Sequence, residues 1–188
     1  MRGIWVGIVC ALLLPGTALA GQSKAGVSVV DATWHVGASG GQFADDTGPT
    51  GADGVDPYTH STKKRISDGV GLRTSTRALV VEDDRGERVA IVSTDLYLAQ
   101  DLLQRRVGSI LEKKNIGISG DNLAMTASHN HNTPYYSTPG WGTAIFQDVI
   151  DLRFYEYMAQ QMAKAVVRAV KQLRPVRMGG STTTFDAI

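Results

Sequence analysis

Two imidazoles one residue apart, His129 and His131, are the chain's clearest concentration of chemistry. They belong to the stretch Leu123-Ala-Met-Thr-Ala-Ser-His-Asn-His-Asn-Thr-Pro134, an apolar run that turns polar before its proline. The run reads as a buried strand that the break at Pro134 ends. If extended backbone persists to His131, both rings point to one side, because side chains alternate along a strand. Neutral imidazole is the commonest protein metal ligand near neutral pH and also the usual proton shuttle. The pair therefore points to a metal site or a proton-transfer site. Spacing alone is a weak signal, since many such pairs are surface or hydrogen-bonded histidines.

The elements before this stretch decide where the imidazoles emerge. Ala78–Val81 and Val89–Val92 are continuous apolar runs separated by the polar segment Glu82–Arg88, which predicts a hairpin of two buried strands. The second strand runs out into Ser93-Thr94-Asp95. Leu103, Val107, Ile110 and Leu111 then recur at helical spacing, with Asn115 and Gly117 as stop signals. The histidine strand follows, completing a strand–helix–strand unit whose two strands should be parallel. In open α/β sheets, ligands bind outside the carboxyl ends of the strands. Asp95 ends one strand of the unit and His129 follows the other, so a carboxylate and two imidazoles would share an edge. Such an oxygen and nitrogen set suits zinc and related divalent metals. Asp95 is then a further ligand or a carboxylate that supports one, with helix capping or turn formation as the structural alternative.

The rest of the chain frames this unit. Val27–Val30 is a short β-prone run leading to Asp31-Ala32-Thr33-Trp34-His35. Residues 37–71 are rich in glycine and aspartate with little apolar periodicity, as in a functional lid or a disordered segment. His35 and His60, in or beside it, read as structural or exposed. Tyr135, Tyr136 and Trp141 follow the histidines in a loop and could line an apolar substrate pocket or pack under the loop. Leu152, Tyr155, Met158, Met162, Val166, Ala169 and Leu173 step at three or four residues, predicting a long helix ended by Pro175. Val176–Met178 should begin another strand. No closing element follows Phe185, which suggests a fragment of a larger catalytic domain. The fold class predicted is α/β: a mixed sheet in which a β-hairpin feeds β-α-β units.

Among 188 residues the formal net charge is +1, so no charge excess points to nucleic acid or an anionic membrane. The first twenty residues read as a secretory signal. Arg2 is the positive start, Ile4–Leu14 the apolar core, and Ala18-Leu19-Ala20 a small-x-small cleavage site. The apolar run is too short to span a bilayer comfortably, so no transmembrane anchor should remain after cleavage. The mature chain, residues 21–188, would be secreted or periplasmic. The single cysteine, Cys10, lies inside the signal, so the mature chain has no disulfide and relies on its core or a metal.

Three stretches carry a resemblance to the N-terminal part of the neutral/alkaline (non-lysosomal) ceramidases. Val30-Asp31-Ala32-Thr33 resembles that family's opening segment. Arg77–Val81 followed by Arg88–Leu96 resembles its first strand pair and aspartate. Thr126-Ala-Ser-His129-Asn-His131-Asn-Thr-Pro134 resembles its signature Thr-His-Thr-His-Ser-Gly-Pro. The resemblance implies a mixed α/β catalytic domain that binds zinc and hydrolyses the amide bond of ceramide (N-acylsphingosine) or a related lipid amide. It implies His129 as a zinc ligand and His131 as the catalytic histidine beside the metal, facing the reacting oxygen. The family's other ligands, a later histidine, a glutamate and a tyrosine, have no matching positions before Ile188. The fragment is therefore expected to be inactive alone. Asn132-Thr133 stands where the family has Ser-Gly, and Tyr135-Tyr136 stands where glycines are common, so another amide or ester is an alternative substrate. Another type of metallohydrolase, or a secreted binding module without the chemistry, are the rival readings.

The leader gives a direct expectation. N-terminal sequencing of exported protein should begin at Gly21, and a mature form that keeps Met1 would refute cleavage.

Overall fold

The computed structural model describes residues 22–36, 67–134, 152–180 and 182. Five strands form one mixed sheet: β1 (Lys24–Asp31), β2 (Ser75–Glu82), β3 (Arg88–Thr94), β4 (Leu123–Ala127) and the two-residue β5 (Arg174–Pro175). Their order across the sheet is β4-β3-β2-β1-β5. The β2–β3 hairpin and the β1–β2 pair are antiparallel, and β3–β4 is parallel. Helix α1 (Asp101–Glu112) makes the β3–β4 crossover, and α2 (Leu152–Val170) lies across β1 and β2 and against α1. The predicted hairpin, crossover helix, parallel pair and long helix are all present. The expected strand at Val176–Met178 is not: regular pairing with β1 stops at Pro175, and Val176 adds a single backbone bond to Ser23.

Alternation along the strands sorts the side chains by face. The helix-facing rows run across the sheet as Gly26, Val80, Ala90, Leu123, then Ser28, Ala78, Val92, Met125, then Val30, Thr76, Thr94, Ala127. Most of these residues are buried, beneath Leu103, Val107 and Leu111 of α1 and Phe154, Met158, Met162 and Val166 of α2. Phe154 takes the core place that spacing assigns to Leu152, which is 70% exposed. The opposite face carries Val27, Val29, Val89 and Ile91, all exposed. The hairpin strands are thus buried on one face only among the described residues, because both helices lie on the same side.

Small residues set how closely the layers approach. A Cβ on Gly26 would run into the Ala169 carbonyl oxygen, and the Ser28 hydroxyl donates to the Ala165 carbonyl at 2.7 Å. On the other helix, a Cβ on Gly108 would stand 2.7 Å from backbone atoms of Gly120. At the sheet end away from the histidines, buried Glu82 takes a hydrogen bond from Lys24 at 2.7 Å and from Arg88 at 2.8 Å, and those two bonds lower its pKa. No described helix is long and apolar enough to cross a membrane.

The helices are clamped to each other by Arg106, whose guanidinium donates two hydrogen bonds to Glu156, each 2.8 Å. Those bonds hold the Glu156 carboxyl at about 2, below the ordinary 4.5, against a smaller opposing effect of burial. A lowered folded-state value gives stability that is fully present above the unfolded value and is lost as pH falls through the folded one. Urea unfolding should therefore show a Glu156-dependent loss between about pH 4.5 and about pH 2. Glu156→Gln should flatten that part of the curve, and an unchanged curve would remove the clamp from the account.

Candidate functional site

The carboxyl ends of β3 and β4, the amino end of β2 and the end of β1 meet at one edge of the sheet. The parallel pairing outlasts the strands themselves. Ser128 N–H donates to the Thr94 carbonyl and Asn130 N–H to the Leu96 carbonyl, both at 3.0 Å. These bonds grip the backbone on either side of His129. Between them His129 has φ 57°, the left-handed region that side chains other than glycine enter at a cost of about 1 kcal/mol or more. Extended backbone therefore does not persist to His131. The two rings meet all the same, because the chain turns after His129. Asn130 Oδ1 accepts the Asn132 N–H at 2.8 Å, and the Thr133 hydroxyl donates to the Asn130 carbonyl at 3.2 Å. Thr133 is buried, 3% exposed, and anchors the turn.

The ring centroids of His129 and His131 are 4.6 Å apart at an interplanar angle of 83°. Both rings touch Tyr97, His129 stacked on it at 4.6 Å and 27°, His131 edge-on at 4.5 Å and 78°. His129 Nδ1 lies 2.9 Å from the Tyr97 carbonyl oxygen. A carbonyl can only accept, so Nδ1 carries the hydrogen, and the lone pair of the neutral ring is on Nε2. Metal-bound histidines show this arrangement, with the second ring nitrogen donating to a carbonyl or carboxylate. The donor set thus fits the nitrogen share of a zinc site. It falls short of the three protein ligands of catalytic zinc, and no group of three metal-binding side chains occurs among the described residues.

Asp95 reaches the same edge but is otherwise engaged. Its Oδ2 accepts the Ser75 N–H at 2.9 Å and the Ser75 hydroxyl at 2.8 Å, and Arg77 approaches Oδ1 at 3.4 Å. Burial is the largest influence on the carboxyl and pushes its pKa up, but the Ser75 bonds and the Arg77 charge together hold it below the usual value. Asp95 ties the start of β2 to the end of β3, and α1 takes Gln100, not Asp95, as its N-cap. His35 is exposed, with Nδ1 at 2.7 Å from the Val36 carbonyl and its ring against Trp34, as a structural histidine would be. His60, Tyr135, Tyr136 and Trp141 lie outside the described residues. Nothing in the spacing singles out Tyr97. Its only signal is an aromatic two residues beyond a strand-end aspartate.

Residues 35–186 match the family described as "Neutral/alkaline non-lysosomal ceramidase, N-terminal". Over 161 residues the chain is 33% identical to the neutral ceramidase of Drosophila melanogaster, an overlap of 83% of this chain and 22% of that protein. Neutral ceramidase 2 of Arabidopsis thaliana is 27% identical over 143 residues, 70% of this chain and 17% of that one. The crystal structure of neutral ceramidase from Pseudomonas aeruginosa is similar with a TM-score of 0.59 at 20% identity, covering 82% of this chain and 22% of its own. That likeness is one of fold. The chain spans about a fifth of the length of the Drosophila protein.

The bonding of Asp95 makes a separable expectation. Asp95→Ala should lower stability in urea unfolding by about 1–3 kcal/mol, the cost of leaving the Ser75 donors without a charged acceptor. The histidine ring resonances should hardly move. A shift of those resonances with unchanged stability would mean that Asp95 serves the imidazoles and not the strand ends.

Proposed function

The chain belongs to the neutral/alkaline non-lysosomal ceramidase family, and from that premise we propose that it forms the N-terminal part of an exported, zinc-dependent lipid amidase. The substrate is ceramide or a closely related lipid amide, cleaved to a long-chain amine such as sphingosine and a fatty acid. The observation that carries the reading is the imidazole pair itself: two rings 4.6 Å apart at the carboxyl edge of a parallel strand pair, one with its tautomer set by a backbone carbonyl. It falls within the segment that resembles the family's histidine signature.

His129 would hold the metal through Nε2, with the remaining ligands supplied by sequence beyond these residues. When bound, zinc polarises an amide carbonyl and lowers the pKa of a water from ~15.7 to ~7. Hydrolysis adds water to the carbonyl carbon and breaks the C–N bond. The nitrogen takes a proton and leaves as the amine, and the acyl part leaves as the acid. His131, next to the ligand ring, can hydrogen-bond the oxygen that gains charge and move the proton the nitrogen needs. Residues 1–20 act as the export leader, and residues 21–188 by themselves lack activity, because the described residues bring together fewer than the three protein ligands of catalytic zinc.

The test uses the complete, family-length protein, zinc measured by mass spectrometry and N-acylsphingosine hydrolysis. His129→Asn keeps a residue that accepts the left-handed backbone and should lose most of the zinc and the turnover together. His131→Ala should keep most of the zinc while kcat falls by about 10²–10⁴. Full zinc and a normal rate in His129→Asn would show the assignment to be wrong.

A further inference from the structure

The two imidazoles meet edge to face, and one further residue, Tyr97, touches both. We propose that Tyr97 is the positioning residue of the site, fixing which nitrogen of His129 is open and the angle at which His131 stands to it. The proposal deepens the functional reading and rests on His129 and His131 being the working pair.

Three contacts carry it. The Tyr97 carbonyl accepts the Nδ1 hydrogen of His129 at 2.9 Å, which selects the tautomer with Nε2 open. The Tyr97 ring stacks on the His129 ring at 4.6 Å and 27°. The same ring meets His131 edge-on at 4.5 Å and 78°, while the histidines stand at 83° to each other. An aromatic face is electron-rich and its rim electron-poor, so offset-stacked and edge-to-face contacts each favour a defined mutual angle. A stack on one histidine and an edge contact with the other keeps the two imidazole planes well apart from parallel, in keeping with the 83° between them.

The ring also stabilises the tautomer. His129 is exposed, and water competes for its Nδ1 hydrogen. Any residue at position 97 supplies a carbonyl. Only a flat aromatic side chain covers the His129 ring and keeps that hydrogen aimed at the carbonyl oxygen. The three contacts use the ring and the backbone carbonyl, both of which phenylalanine keeps, so phenylalanine should preserve them.

The experiment separates this role from general packing and from the zinc reading. The complete, family-length protein, stripped of metal by chelation, is labelled with ¹⁵N at histidine, and the His129 ring nitrogens are followed by NMR at about pH 8, above the ordinary imidazole range. The wild type should show the Nδ1–H tautomer in at least about tenfold excess, the ratio that about 1.4 kcal/mol of preference gives. Tyr97→Phe should preserve that excess and the upfield ring-current shift of His129. Tyr97→Leu should bring the tautomers to within about twofold and abolish the shift. Tyr97→Met, closer in length, is the second variant should leucine impair folding, and its expected result is the same. In the complete protein, Tyr97→Leu should lower kcat at least tenfold with KM within about twofold, and phenylalanine should restore it. Leucine and methionine variants that fold with the wild-type tautomer ratio would overturn the proposal, as would loss of the ratio in Tyr97→Phe. The tautomer ratio is read without zinc or substrate, so it stands or falls independently of whether the complete protein proves to be an amidase.

Discussion

The site depends on a parallel ladder that continues after its strands have ended. Two backbone bonds, Ser128 to Thr94 and Asn130 to Leu96, carry the β3–β4 pairing past Ala127. They secure the residues before and after His129, and the backbone of His129 between them has left-handed geometry. A strained residue persists only where its surroundings over-determine it. Here the surroundings are the two ladder bonds, the turn at Asn130 and the bond from the His129 ring to the Tyr97 carbonyl. The Tyr97 carbonyl becomes available in the same way, because Leu96, one residue earlier, is buried and fixed by the ladder.

That ladder needs a rigid sheet behind it, and rigidity comes from close approach on a single face. Gly26 and Ser28 let α2 rest almost on the backbone of β1, and Gly108 does the same for α1 against Gly120. The Thr76 and Thr94 hydroxyls, 2.9 Å apart in the buried row next to the site, join β2 and β3 where the ladder begins. Asp95 fastens the adjacent position from outside through Ser75. The edge that bears the histidines is thus bonded on both faces of the sheet.

Much of this was legible in the residues. The apolar runs of β2 and β3, the helical spacing of α1 and the histidine strand give the crossover unit, since short-range periodicity and connection rules determine it. The placement of Asp95 and the histidines at one edge follows from that topology. What was not legible depends on contacts distant in sequence. Spacing could not tell that both helices lie on one face, leaving Val27 and Ile91 on the other. It could not show that Asp95 is taken up by Ser75, twenty residues earlier, or that His129 leaves extended geometry. Alternation predicted two rings on one side of a strand; the turn at Asn130 and the ring of Tyr97 bring them together by another route.

The left-handed backbone at His129 also bears on how such a site is lost. Asparagine enters that region more readily than most side chains, and in the genetic code its codons are one base from those of histidine. A single-base change can therefore remove the imidazole here and leave a residue that the left-handed backbone also accepts. The fold would register little of such a change, and its trace would lie in the chemistry of the edge alone.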